Sequence, residues 1–298
     1  MIYVERWRGL QYVPYEEKIP IVCDPTDSMT LYNRRLLAGG SFAERILGAE
    51  EYVKFRHYER RLAEQVAASV FCSHIDLDYV RKYAPTARLV HVPNGVDCAL
   101  FGPKTSAEER ENTIVFAGNF SYSPNRHAVS YFLADIYPLI RRKVPDATFT
   151  IVGNQATQFV RRKYPRIAGV LVQDFVPSLR PWLAQGAIAI APQKVGAGVS
   201  NKILEAMAVG TPIVASRVAC GDLPCVAGKH LLIADDAAEF AQHAIDLLAD
   251  VSLRRSMAER AVAWVRQSYD WSVVALQMEA VLLGACSATE AVAQGFRC

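Results

Sequence analysis

Residues 196–216 read Gly-Ala-Gly-Val-Ser-Asn-Lys-Ile-Leu-Glu-Ala-Met-Ala-Val-Gly-Thr-Pro-Ile-Val-Ala-Ser, and they follow the apolar run Ala187–Ala191. A strand ending at Ala191 gives way to a glycine-bearing loop, and a helix begins near Ser200. The helix Asn201–Val209 is closed by Gly210-Thr-Pro212, and Pro212–Ser216 is the next strand. In a parallel α/β sheet, ligands bind beyond the carboxyl ends of the strands. Backbone N–H groups at a helix start can hold an anion there, and glycines let it approach. Lys202 stands in the first helical turn, beside the positive end of the helix dipole, where Asp or Glu would be favoured. A lysine set against that local preference is what phosphate binding requires. Glu205 lies three residues on and shares its face. A carboxylate there can accept hydrogen bonds from the vicinal hydroxyls of a ribose. The simpler reading is a solvated ion pair, although Lys before Glu is the weaker orientation for one.

Strand and helix alternate outward from this stretch. Thr113–Ala117 is a short β-branched run ended by Gly118. Ser123-Pro124 offers an N-cap and a first helical proline. Ala128, Phe132, Ile136, Leu139 and Ile140 follow at helical spacing until Pro145, and Ala147–Val152 is a second strand ended by Gly153. A right-handed crossover makes these two strands parallel. Gly169–Val172 and Leu231–Ala234 read as further strands, and Asp236–Ala249 and Ser252–Gln267 as amphipathic helices. Residues 105–267 are therefore read as a doubly wound α/β domain.

The first hundred residues differ. Ile19–Cys23 is a strand, Glu44–Val70 a long helical stretch, and Val70–Cys72 and Arg88–Val92 short strands before the turn Pro93-Asn94-Gly95. Residues 103–112 are polar enough for a surface linker. Hydrophobic residues make up 51% of the 298 and charged residues 21%, which excludes a wholly disordered chain. A net charge of +3 is too small for this length to argue for nucleic acid. The longest apolar runs fall far short of the ~20 residues that span a bilayer. The first residues lack the pattern of a signal peptide. Seven scattered cysteines, with no Cys-x-x-Cys pair, read as small core hydrophobes in a reducing compartment.

Other candidates are weaker. Gly118-Asn119-Phe120 can hold a phosphate near the next helix or be an ordinary turn, and Gly153 is weaker still. His74, His91 and His127 join no nucleophile motif. Arg141-Arg-Lys143 and Arg161-Arg-Lys163 read as solvated helix ends, and Tyr131, Phe132 and Tyr137 as core.

Residues 202–216, with Val92–Asp97, Thr113–Phe120 and Tyr269-Asp-Trp271, resemble in order the signature segments of the retaining family 4 (group 1) glycosyltransferases of GT-B fold. The likeness covers residues 70–282 and is strongest over 92–234. It implies a nucleoside diphosphate sugar donor, with Glu205 on the ribose and Lys202 facing the diphosphate. Gly196, Gly198, Val199, Ser200 and Asn201 would lie at the sugar and phosphate, and Gly118 and Asn119 on the phosphate-side loop. Lys202 and Glu205 would carry the catalytic work, and no cofactor or metal is implied, because basic groups and helix N-termini neutralise the leaving diphosphate.

Three features depart from the family pattern. Ala197 stands where a glutamate often contacts the donor sugar. Asn119 and Pro124 replace a common basic pair, leaving Lys202 and Arg126 to supply charge. Only about 100 residues precede the donor domain, so the expected architecture is a partial acceptor-side domain (1–104), a complete Rossmann-like donor domain (105–267) and a C-terminal helix (268–298) packing back on the first part. In such a domain Asp24 and Asp27 would face the cleft, or simply cap turns.

The implied reaction is retaining hexosyl transfer to a glycan or lipid-linked saccharide in polysaccharide biosynthesis, in the cytoplasm and with no nucleic-acid partner. Peripheral membrane contact would run through the helix Glu44–Arg61, whose mixed charges (Glu44, Glu50, Glu51, Glu59) argue against a polybasic anchor. The alternatives are a truncated, weakly active or inactive nucleotide-sugar-binding protein and a sugar-nucleotide epimerase of the same overall fold.

Overall fold

All five residues of Thr113–Ala117 are buried, a pattern that needs a strand covered on both faces. In the computed structural model, which describes residues 1–15, 19–39, 42–165, 167–195 and 200–295, that strand lies inside a six-stranded parallel sheet. The chain divides into two compact units. One holds residues 1–94 and the stretch from Ser272 onward, and the other holds 95–194 and 200–271. The second unit thus starts at Gly95 rather than at the expected 105.

The first unit opens with β1 (Ile2–Glu5) and a short 3-10 helix, then β2 (Ile21–Thr26), α1 (Met29–Gly39), α2 (Phe42–Gln65), β3 (Ala68–Phe71), α3 (His74–Arg81) and β4 (Leu89–His91). Its four strands are parallel in the order β1-β2-β3-β4. The long helix ends at Gln65, not at Val70, because Ala68–Phe71 is buried at every position and pairs on both sides. Glu59, counted in the sequence among the surface charges of α2, is fully buried. It accepts hydrogen bonds from the Met29 amide at 2.7 Å, the Ser28 hydroxyl at 3.1 Å and the Tyr83 hydroxyl at 2.6 Å. A carboxylate is thereby placed at the N-terminus of α1, where the helix dipole favours it.

The second unit continues with β5 (Thr113–Ala117), α4 (Ser123–Tyr131), a π-helical turn (Phe132–Ile136), α5 (Tyr137–Lys143), β6 (Thr148–Val152), α6 (Ala156–Lys163), β7 (Val170–Gln173), α7 (Arg180–Gln185), β8 (Ile188–Ala191), α8 (Asn201–Val209), β9 (Ile213–Ala215), α9 (Arg217–Cys220), β10 (Leu232–Ile233), α10 (Ala237–Ala249) and α11 (Val251–Ser268). The sheet order is β10-β9-β8-β5-β6-β7, all parallel. The cap of α4 is Tyr122, so Ser123 and Pro124 are already helical. The π turn has a local cause. Pro138 has no N–H and its ring crowds the preceding turn, and the Tyr137 amide bonds back to Phe132 instead. Phe132 and Tyr137 sit in the core with Phe149 and Phe240, as the sequence stripe implies.

The final helix, α12 (Trp271–Gly295), packs Val274, Val281 and Ala285 against Val22, Ala68, Val70 and Val92 of the first unit's sheet. Its start joins two segments distant in sequence. The Val96 amide donates to Tyr269 O at 2.8 Å, the Trp271 amide to Val96 O at 3.2 Å, and Asp270 accepts from the Cys98 amide at 3.2 Å. Gly95 lies under the Trp271 indole, where a Cβ would come within 2.6 Å of the ring. Among the described residues no helix is long and apolar enough to cross a membrane. Among the described residues six cysteines are free, four of them buried, in keeping with small hydrophobes.

Residues 103–112 are not a solvated linker. Lys104 lies 2.7 Å from Glu109, and Arg254 of α11 lies 2.9 Å from the same carboxylate, with all three side chains at least four-fifths buried. Arg180 of α7 pairs with Glu108. Removing one member of a buried charge cluster leaves the others uncompensated, so Glu109→Ala should cost about 3 kcal/mol. Exposed Glu111→Ala should stay within about 0.5 kcal/mol. Urea denaturation at pH 7 separates the two.

Candidate functional site

The strand order reverses at β5: β6 and β7 run to one side, β8 to β10 to the other. A crevice opens at such a point, beyond the carboxyl ends of the two diverging strands. Here those ends lead into the loop starting at Gly118 and the segment starting at Pro192.

Two backbones cross closely beside β5. Gly153, at φ 143°, passes over Gly118 so tightly that a Cβ on Gly153 would overlap the Gly118 carbonyl. The Gly118 amide donates to Val152 O at 3.0 Å and the Phe120 amide to Asn154 O at 2.9 Å. A Cβ on Gly118 would lie 2.9 Å from the Asn125 amide nitrogen. The absence of a side chain at 118 thus admits Asn125, which is buried in the first turns of α4.

Lys202 lies at the start of α8. Its Nζ donates to Asn125 Oδ1 at 3.1 Å and to Ser200 Oγ at 3.2 Å. With the Gln193 amide turned so that its oxygen faces the lysine, that oxygen accepts at 2.9 Å and the amide nitrogen donates to Ala191 O at 3.0 Å. The ammonium also sits 5.1 Å above the Phe116 ring centroid. Ser200 occupies the N-cap position, yet its side chain makes no capping bond, because its hydroxyl accepts from Lys202 instead. Burial brings the Lys202 ammonium down to about 8 from its ordinary 10.5, and the Glu205 charge opposes the drop. Glu205 is raised by burial, with Lys202 acting against that rise. The two groups expected to face the ligand thus share one half-buried face of α8, beside the crevice.

The other expected residues fall differently. Asn119 is exposed, and its side chain caps its own turn, accepting from the Ser121 amide at 3.0 Å and hydroxyl at 2.9 Å. The Arg126 guanidinium donates to the carbonyls of Phe120 at 2.6 Å and Ser121 at 2.8 Å. It therefore braces the loop after β5. Pro124 is buried in the first turn of α4, and Asn201 is the exposed first residue of α8. Gly196, Ala197, Gly198 and Val199 lie outside the described residues. In the first unit, Asp24 caps a turn: it accepts from the Thr26 amide at 2.9 Å and from the Tyr3 hydroxyl at 2.8 Å. Asp27 lies 3.4 Å from Cys72 Sγ, and burial together with the Asp76 charge raises its carboxyl to about 6. His74 and His91 stack on each other at 3.7 Å.

Asn125, Gln193 and Phe116 were not singled out in the sequence. The available signal was an asparagine, a poor helix former, inside the first turns of a helix.

Residues 111–250 match the profile of the family described as glycosyl transferases group 1. They are a group 1 glycosyltransferase domain. A phosphatidyl-myo-inositol mannosyltransferase of Mycolicibacterium smegmatis is 31% identical over 238 residues, covering 75% of this chain. The chain spans 58% of that relative's length. An uncharacterized 44.6 kDa protein of the Klebsiella pneumoniae cps region is 24% identical over 53% of this chain and 42% of its own length. Among solved structures, sucrose-phosphate synthase from Thermosynechococcus elongatus superposes with a TM-score of 0.77 at 18% identity, over 96% of this chain and 74% of its own. Anabaena HepE in complex with UDP and glucose gives 0.72 at 15% identity, over 95% of this chain and 78% of its own. The fold is accordingly GT-B-like, with two Rossmann-like parallel sheets.

In the glycosyltransferase domain the state of Lys202 is measurable through stability. The folded ammonium gives up its proton near pH 8, whereas the unfolded one holds it to about 10.5. Between those values the unfolded chain binds more protons, so stability rises with pH by up to about 1.4 kcal/mol per pH unit. Lys202→Met should remove that rise, read from urea denaturation at pH 7, 8, 9 and 10.

Proposed function

We propose that the group 1 domain binds a nucleoside diphosphate sugar and that the complete enzyme transfers its hexose, with retention, to a glycan or lipid-linked saccharide. One observation carries the reading. A lysine ammonium is held at the N-terminus of α8, against the helix dipole and partly out of water, by three neutral acceptors. Desolvation and the dipole both oppose a cation there. A diphosphate at the crevice offsets both, since it meets the ammonium and the N-terminal amides together. In this reading the ammonium and the N-terminal amides would face the leaving group, where charge develops as the glycosidic bond to phosphate breaks. Fixed donors aimed at that charge are the main catalytic contribution assigned here. Glu205, on the same helix face, would accept from the ribose hydroxyls, and Asn201 and Ser200 border the phosphate. Neither step requires a metal or a cofactor.

The relatives named as phosphatidyl-myo-inositol mannosyltransferases favour a lipid-linked acceptor over a free glycan, and a reaction beside a membrane on the side where nucleotide sugars are made.

Calorimetric titration of UDP, GDP and ADP into the chain tests the reading. One diphosphate should bind, and Lys202→Met and Glu205→Gln should each weaken it by ~1–3 kcal/mol, the range for hydrogen bonds to charged groups. Binding should also fall as pH rises through about 8, because the free site then loses its ammonium. A folded chain that binds none of the three diphosphates would overturn the assignment.

A further inference from the structure

Asn125 makes two bonds that no other side chain could make together. Its Nδ2 donates to the Asn119 carbonyl at 2.8 Å, and its Oδ1 accepts from Lys202 Nζ at 3.1 Å. The first bond fixes the loop that leaves β5. The second fixes the cation that begins α8. The residue is buried, and the glycine at 118 leaves it room. An aspartate of the same shape would lose the donor, and a leucine would lose both contacts. The neutral amide also matters. It accepts from the ammonium without neutralising it, so the charge remains available to an anion.

We propose that Asn125 is a positioning residue of the donor site, holding the loop after β5 and the Lys202 ammonium in one register before the diphosphate arrives. The inference rests on the donor-site reading above and adds to it the residue that couples the site's two halves. Asn125 acts through Lys202 and through the Asn119 carbonyl. The groups facing the ammonium are Asn125 from α4, Ser200 and Gln193 from the loop after β8, the Phe116 ring from β5, and Glu205 from α8 itself. Only Glu205 among them is ionisable, so a charge change at 125 acts directly on Lys202.

The test uses the full chain without ligand. Acetylation of Lys202 by acetic anhydride is followed between pH 7 and 9 by peptide mass spectrometry, with exposed Lys143 as the internal reference. Asn125→Asp puts a carboxylate against the ammonium, holds its proton more tightly and should slow acetylation by about tenfold. Asn125→Ser is too short to reach Lys202, removes an acceptor from the ammonium and should speed acetylation several-fold. A residue that merely packed the loop would give changes of the same sign in both variants, through loosening, or no change in either. Either result overturns the proposal. Should Asn125→Asp unfold, Asn125→Ser still decides through its pH profile: a lost acceptor moves the midpoint of Lys202 acetylation to lower pH, whereas loosening returns water to the ammonium and moves it to higher pH, which overturns the proposal. The same variants are titrated with UDP, GDP and ADP, and both should bind the preferred diphosphate at least about tenfold more weakly than the wild type. Opposite acetylation shifts without nucleotide binding by the wild type would sustain the tie between Asn125 and Lys202 and overturn its assignment to a donor site.

Discussion

The carboxyl edge of the six-stranded sheet depends on two stretches of backbone passing one another with no side chain between them. Gly153 crosses Gly118 at a distance that excludes a Cβ, at a φ of 143° that few other residues adopt. This crossing ties the loop after β5 to the end of β6 and leaves a space above Gly118. Asn125 fills that space from α4. Its reach toward Lys202 follows from that position. Any side chain at 118 would displace Asn125, and with it the contact that joins the loop after β5 to α8. The glycine that reads in the sequence as a phosphate loop is thus needed first for backbone and side-chain approach.

The lysine at the head of α8 is a local conflict that the rest of the fold does not relieve. Helix propensity and the dipole favour an acid in the first turn, burial disfavours a charge, and Ser200 gives its hydroxyl to the lysine instead of capping the helix. Elsewhere in the same unit the ordinary solutions are present. Asp236 caps α10 through the amides of Ala238 and Glu239, and Asp250 caps α11 through that of Leu253. Buried cations are also neutralised where stability alone is at stake, as Glu109 serves both Lys104 and Arg254. Lys202 meets neutral acceptors and an aromatic face. The contrast within one unit is the strongest physical ground for an anionic ligand at α8.

The parallel sheet of the second unit was legible in the sequence because its strands are short apolar runs, β5 and β6 ended by Gly118 and Gly153, and its later helices carry clear periodicity. Asn201–Val209 has the same bounds in the sequence reading and in the structure. The placement of Lys202 in the first turn of α8, with Glu205 three residues on, was legible as well, since a broken local rule is visible in one dimension. Asn125 was hidden for the opposite reason: it meets a residue 77 positions away, and an asparagine early in a helix does not name that partner. The same distance effect misled the reading of residues 103–112. Their acids and lysine look solvated until Arg254, 145 residues on, is brought against Glu109. Glu59 likewise reads as a surface charge on a polar helix, because the hydroxyls of Ser28, Thr30 and Tyr83 that donate to it come from two other places in the chain. Composition reports that a residue is charged, and only the fold reports what it faces.

Among the described residues, positive φ outside glycine falls at Arg6, Thr26, Asn112 and Gln155. In the first unit, Thr26 ends β2 at φ 70°, an uncommon value for a β-branched residue. It is held there by Asp24, which accepts from its amide, and by Cys72, whose amide donates to its carbonyl at 3.2 Å. In the second unit, Gln155 adopts φ 62° just after Gly153, at the carboxyl end of β6. Such conformations cost of order 1–3 kcal/mol each and persist where surrounding bonds over-determine them. Neither lies in an exposed hairpin, where relaxation would be cheap. Thr26 is the last residue of β2, and Gln155 caps α6 three residues after β6 ends. Asp27, the residue after Thr26, carries a carboxyl raised to about 6 by burial and by Asp76. The turn after Thr26 brings that carboxyl within 3.4 Å of Cys72, just beyond the end of β3, and Asp24 holds the turn through the Thr26 amide.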